Sequence, residues 1–268
     1  MTVKQSSVIV CRCGIKWGLS PNMLQVLSQD PDLIQPSDEA VTRACIYFLS
    51  QIGAPFDLQR TRNADACSPD HLLPVTCYNG QLITGFDALC SALEATRPRV
   101  MPQSGDAMEV DRAARSGRRI YLIWLSDLLR NVMLYFTWHH EDTFQKFTRP
   151  RYTLALPWPL SELVMYKERR RYQTYLNAIG WDKKNVNDVL EAAESVCVGL
   201  TELLRSGPFL FGCNSLGRLD ALACGYFSVF LDFDNVFQPV NIVLKKYTKL
   251  MDLIDRVKEQ CDAARKLV

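Results

Sequence analysis

No stretch of this chain reaches the roughly 20 consecutive apolar residues that a membrane-crossing helix requires. The longest apolar region, "IYLIWLSDLLRNVMLYF", carries Asp127 and Arg130 well inside it. The opening residues lack a signal-peptide pattern, because the short apolar run in "SSVIVCRCG" is broken by Arg12. The closing "CDAARKLV" lacks a hydrophobic tail. Any membrane association is therefore expected to be peripheral, through partners or surface contact. An excess of one charge is missing too. A net charge of +2 gives no drive toward nucleic acid. The local basic clusters "KERRRY" and "GRR" read as solvated helix faces rather than phosphate tracks. Histidine is scarce, with His71, His139 and His140 alone. Neighbouring histidines on a helix point about 100° apart, so no metal site is expected. No internal repeat is visible.

Cysteine, in contrast, is plentiful. Its ten copies are scattered through apolar segments rather than set in an even framework, and Cys45, Cys90, Cys197 and Cys224 sit among candidate core positions. This spacing predicts reduced thiols in a cytosolic setting. Cys11 and Cys13 form a lone C-x-C with no second ligand pair at zinc spacing. Apolar residues make up 48% and charged residues 22%, a globular composition of a size that suits one large or two closely packed domains.

Along the chain, Ser20 and Pro21 predict a short helix over 20–29. "LIQPSDEAV" predicts a brief strand and then a helix of about 38–52 capped by Ser37 and ended by Gly53. "PFDLQRT" alternates as a strand. "LPVTCY" and "QLIT" flank Asn79-Gly80, a strong hairpin signal, and "DALCSALEAT" follows as a helix. The order β-α-β then β-β-α is that of thioredoxin. "RPRVMPQSGDAMEV" has no period and predicts a linker. Beyond it everything reads as helix: a long buried one over 108–140, a proline-rich crossing "TRPRYTLALPWPL", then helices to 180 and at about 185–205, 217–231 and 241–264. The expected units are an N-terminal extension with a short helix (1–31), a thioredoxin-like domain (32–97), a linker (98–108) and an all-helical domain (109–268). The fold class is α+β.

This plan resembles the glutathione transferase superfamily. "GPFLFGCNSLGRLDALACGYFS" (207–228) adds to the resemblance, with Asp220 as the acid three residues after Gly217 at a helix start. The resemblance implies a glutathione site at Ser37, Leu73, Pro74, Gly85 and Phe86, with a cis Leu73–Pro74 bond. That site reads as degenerate. Where the superfamily places an acid or amide followed by serine, this chain has Gly85 and Phe86, which offer no side-chain donor. Losing two charge-assisted bonds weakens binding by roughly two to four decades. A buried Phe86 is expected to fill the vacated pocket. Ser37 is either a helix cap or, in an alternative enzyme reading, a hydroxyl that activates a thiol ligand. The first reading leaves no catalytic residue, no cofactor and no metal.

One branch fits better. "RNADACSP" (62–69), "TWHHEDTFQKFTRPRY" (137–152), "LPWPL" (156–160), "LNAIGW" (176–181) and "LDALACGYF" (219–227) are similar to segments of the metaxins. The resemblance implies a non-enzymatic protein on the cytosolic face of the outer mitochondrial membrane. It implies a role in protein import and β-barrel sorting and assembly, with mitochondrial organisation or transport as a further role. The implied partners are an anchored metaxin-1-like protein in a heterodimer, the outer-membrane β-barrel assembly machinery and mitochondrial transport adaptors. Pro157 and Pro159 stiffen the chain around Trp158. This tryptophan either fills the seam between the domains or, with Trp181, offers a partner contact.

Overall fold

The computed structural model describes residues 8–10, 16–18, 23–31, 33, 35–62, 64–96, 110–204 and 207–266. The expected linker and the C-x-C pair lie outside these residues. Two short strands, β1 (Val8–Val10) and β2 (Lys16–Gly18), pair antiparallel near the start. A four-stranded sheet follows, built from β3 (Leu24–Gln29), β4 (Phe56–Thr61), β5 (Val75–Tyr78) and β6 (Gln81–Thr84) in the order β4-β3-β5-β6. β3 runs parallel to β4 and antiparallel to β5, with Val26 opposite Leu58 and Thr76. Helix α1 (Pro36–Gln51) crosses from β3 to β4, a four-residue α2 (Ala64–Cys67) follows β4, and α3 (Phe86–Thr96) follows β6. Asn79 (φ 49°) and Gly80 (φ 79°) both take the left-handed conformation that a tight hairpin turn requires.

The short helix expected over 20–29 is instead the central strand β3. A six-residue segment with apolar residues only at Leu24, Val26 and Leu27 is too short to separate periods of 2 and 3.6, and neighbouring strands decide the matter. Leu24 and Val26 face the main core, and Leu27 faces a smaller one with Leu73, Val75 and Cys77. Leu33 lies in a turn and Gln35 is the helix cap, so neither is strand, and α1 begins two residues earlier than expected. Its N-cap is Gln35 and its first residue Pro36, so Ser37 is not the cap. The Ser37 side chain is buried inside the first turn.

The second unit is helical. It comprises α4 (Val110–Leu134), α5 (Glu141–Thr143), α6 (Arg149–Ala155), α7 (Leu160–Ala178), α8 (Val186–Leu203), α9 (Arg218–Asp232), α10 (Asp234–Leu244) and α11 (Thr248–Lys266). Part of the supposed crossing after Thr148 is helix α6, with Pro150 tolerated because it sits in the first turn. The last expected helix is two, α10 and α11, joined by a turn at Lys245–Tyr247. Two π-helical turns, Tyr135–His139 and Phe144–Thr148, flank α5.

One continuous apolar core joins the sheet, α1, α3 and the helical unit. The contact between α1 and α9 is its backbone. Gly225 of α9 lies so close to α1 that an added Cβ would stand 2.5 Å from the Ala40 carbonyl oxygen and 2.9 Å from the Ala44 nitrogen. Asp220 organises the start of α9. Its carboxylate accepts from the backbone N–H of Leu210 (2.8 Å) and of Gly217 (2.9 Å), tying the preceding loop to the helix. Gly217 has no side chain with which to return a bond.

Burial pushes the Asp220 carboxyl up to about 6, although three backbone hydrogen bonds and Arg118 pull it back. The folded state therefore holds this proton more tightly than the unfolded chain does. The stability linked to it is full below pH ~4, is lost as pH rises toward 6, and is flat above. Asp220→Asn is expected to remove that slope. Unfolding midpoints of parent and variant measured from pH 4 to 7 should converge at neither end by the same amount, with the difference changing across that window. A constant difference would contradict the assignment.

The cysteines depart in part from the expectation. Cys45, Cys77, Cys90, Cys197, Cys213, Cys224 and Cys261 are free thiols, but Cys67 is disulfide-bonded. A scattered spacing cannot reveal a pairing that the fold creates. Desolvation raises Cys45, Cys90 and Cys224 above the ordinary thiol range, so these buried groups stay protonated and unreactive.

Candidate functional site

A cleft of about 300 Å³ opens where the sheet unit meets the helical unit. Gln29, Gln35, Asp38, Arg62, His71 and Leu73 line it from the first side. Tyr152, Leu156, Leu160, Val164, Glu168, Arg171 and Tyr172 line it from the second. Charges of both signs face it, so its field favours no single ion class.

Gln35 ties the two sides of this cleft together. Its carboxamide nitrogen donates to Tyr152 Oη (2.9 Å), and its oxygen accepts from Trp138 Nε1 (3.0 Å). One amide at the mouth of α1 thus satisfies the polar tips of two rings on the other unit. Trp138 is fully buried in the first π-helical turn. It stacks on Tyr172 at 5.0 Å and meets Tyr152 edge-on at 5.8 Å. Burial raises both tyrosine hydroxyls above their ordinary range, so neither supplies a phenolate.

The five residues of the expected glutathione site do not converge on this cleft. Leu73 lines it, and the Leu73–Pro74 bond is cis. The Gly85 N–H donates to the Pro74 carbonyl at 3.1 Å, which holds the two strand ends together, and Gly85 takes φ 76°. Phe86 is 6% exposed, but its ring turns into the main core, edge-on to Phe48 at 5.9 Å. Phe86 does not line this cleft. The inward turn follows from its place at the first position of α3, directly under α1. Phe86→Ser is expected to remove that packing and lower the unfolding midpoint by several degrees, with no gain of glutathione retention. A variant as stable as the parent would contradict this packing role. Ser37, 4% exposed, does not line the cleft either.

Trp158 and Trp181 differ sharply in exposure. Trp158 is 82% exposed, which overturns the seam reading; the seam is filled by Trp138 instead. Trp181 is only 8% exposed and lies under Lys184 Nζ at 4.2 Å, where it closes the α7–α8 turn and offers no surface to a partner. The histidine pair also has local work: His139 meets Tyr135 in a tilted ring contact at 5.1 Å, and His140 Nδ1 pairs with Thr143 Oγ1 at 2.7 Å. Sequence reasoning missed Gln35, Tyr152 and Tyr172. The sequence signals for the first two were a glutamine before the helix-opening proline and an aromatic-rich stretch at 137–152, and Tyr172 lies beyond that stretch.

Residues 43–169 match the Tom37 family, described as "Outer mitochondrial membrane transport complex protein". Human Metaxin-2 is 25% identical over 243 residues, covering 91% of this chain and 89% of the human protein. The Metaxin-2 homolog of Caenorhabditis elegans is 29% identical over 179 residues, covering 67% of this chain and 75% of the nematode protein. The chain is similar to the metaxins over most of its length. Its fold is glutathione-transferase-like. The β-etherase LigF from Sphingobium sp. strain SYK-6 superposes with a TM-score of 0.57 at 15% identity, over 91% of this metaxin-like chain and 99% of the etherase. A glutathione S-transferase III in apo form gives 0.52 at 12% identity, over 91% and 97%. Such identities speak to the fold alone. No described helix of this metaxin-like chain is long and apolar enough to cross a membrane.

Proposed function

We propose that this chain is a non-catalytic subunit of a transport complex at the outer mitochondrial membrane. It binds a metaxin-1-type partner and is held peripherally on the cytosolic face. Its work there is protein import and β-barrel sorting and assembly, with contacts to mitochondrial transport adaptors as a further role. The observation that carries the non-catalytic half is the fate of the polar positions. The Ser37 hydroxyl is buried away from the cleft, Phe86 points into the core, and Gly85 has no side chain. The metaxin likeness over nearly the whole chain supports the location.

The test is capture on a tagged metaxin-1-type protein, paired with cell fractionation and calorimetry against glutathione. Co-purification, sedimentation with mitochondria and no glutathione binding are expected. Millimolar or tighter glutathione affinity that disappears in Ser37→Ala would establish the enzyme reading instead. Absence from the mitochondrial fraction would remove the transport reading.

A further inference from the structure

Helix α7 has three distinct faces. Ser161, Met165 and Leu176 turn into the protein. Leu160, Val164, Glu168 and Arg171 line the cleft. The third face carries Leu163, Tyr166, Lys167 and Arg170, all exposed. At about 100° per residue these four fall within roughly 100° of arc. They therefore form one narrow outward stripe.

The stripe continues past the start of the helix. The Ser161 N–H donates to the Pro157 carbonyl (3.1 Å) and the Leu163 N–H to that of Pro159 (3.2 Å). The turn that carries Trp158 is thereby fastened to the first turn of α7. Trp158, Leu160, Leu163 and Tyr166 are all exposed large apolar or aromatic residues at this end of the molecule. Single exposed apolar residues need no explanation, but a cluster of four does.

Charge tells what covers it. Glu162 is paired with Arg149 and Glu168 with Arg171, each at 3.6 Å. Lys167 and Arg170 have no ion-pair partner among the described residues. The stripe thus presents an exposed Trp and Tyr beside two uncompensated cations. The core of a protein–protein interface is depleted in lysine. An interfacial lipid-binding surface combines the same elements found here: aromatic rings at headgroup level, aliphatic side chains below and basic residues against phosphates.

We infer that the outward face of α7, together with Trp158, docks on an anionic phospholipid surface. Trp158, Leu163 and Tyr166 enter the headgroup layer, and Lys167 and Arg170 meet its phosphates. The inference rests on the outer-membrane reading for its setting and supplies the contact by which a chain without a spanning helix among its described residues lies on a bilayer.

The full chain is to be sedimented with vesicles of phosphatidylcholine alone and with vesicles that also contain phosphatidylinositol. Binding is expected to the second only, and to fall with added salt. Lys167→Ala with Arg170→Ala should weaken it about 25-fold, about fivefold for each residue. Trp158→Ala should weaken it as well, and these exposed substitutions should leave the circular dichroism spectrum unchanged. Equal binding to both vesicle types, or no binding to either, would overturn the inference. So would a double variant that binds vesicles like the parent but no longer captures the metaxin-1-type partner, since the face would then be a protein contact. Lipid binding by a chain absent from mitochondria would leave this inference standing and remove only the location.

Discussion

Trp138→Ala is expected to lower the unfolding midpoint by about 10 °C, measured by circular dichroism or scanning calorimetry. The indole is fully buried and packs against Tyr172, Tyr152 and Phe144. Truncating a buried tryptophan to alanine costs about 3–5 kcal/mol, and each kcal/mol moves the midpoint of a chain this size by about 2–4 °C. The loss also strips the Gln35 oxygen of its donor from Trp138. Trp138→Phe separates the two effects. It keeps most of the ring volume and loses the N–H, so its fall should be about a third as large. If Trp138→Ala melted within a degree or two of the parent, the aromatic cluster would not be what joins the two units.

Gly225→Ala is expected to destabilise where the same change elsewhere stabilises. In a helix interior, alanine ordinarily gains about 0.5–1 kcal/mol over glycine. At Gly117, in α4, an added Cβ meets nothing within 4 Å, and Gly117→Ala should show that gain. At Gly225 the Cβ would meet the backbone of α1 at 2.5 Å and 2.9 Å, and backbone cannot swing aside as a flexible side chain can. The helices must part, which costs about 1–3 kcal/mol or more. Opposite shifts of the midpoint in the two variants are the expected result. Shifts of the same sign would mean that the α1–α9 approach relaxes freely.

The hairpin of β5 and β6 was legible because its signal is local: Asn79 and Gly80 adopt the positive φ values that their residue types favour. The long α4 was legible because its apolar stripe repeats over many turns. β3 was not, because "LQVLSQ" is too short for its period to decide and Ser20-Pro21 imitates a helix start. The cleft was legible only at Leu73. Gln35 acquires its role from Trp138 and Tyr152, more than 100 positions away, and no local pattern encodes such a meeting. Trp158 and Trp138 show the same limit. Flanking prolines suggested which tryptophan was held rigidly, but burial depends on what the rest of the chain places around it.

Helix α1 is fastened to the helical unit at two separate levels. At its mouth the Gln35 amide reaches Trp138 and Tyr152, and at mid-length Ala40 and Ala44 receive Gly225. A rod clamped at two points along its length can neither pivot nor slide. The sheet unit and the helical unit therefore share one melting event, and hydrogen exchange in α1 and α9 should report the same opening energy. Expressed apart, each half would carry a bare apolar wall and precipitate. The division visible in the order of elements along the chain is a seam of assembly and not a joint of motion.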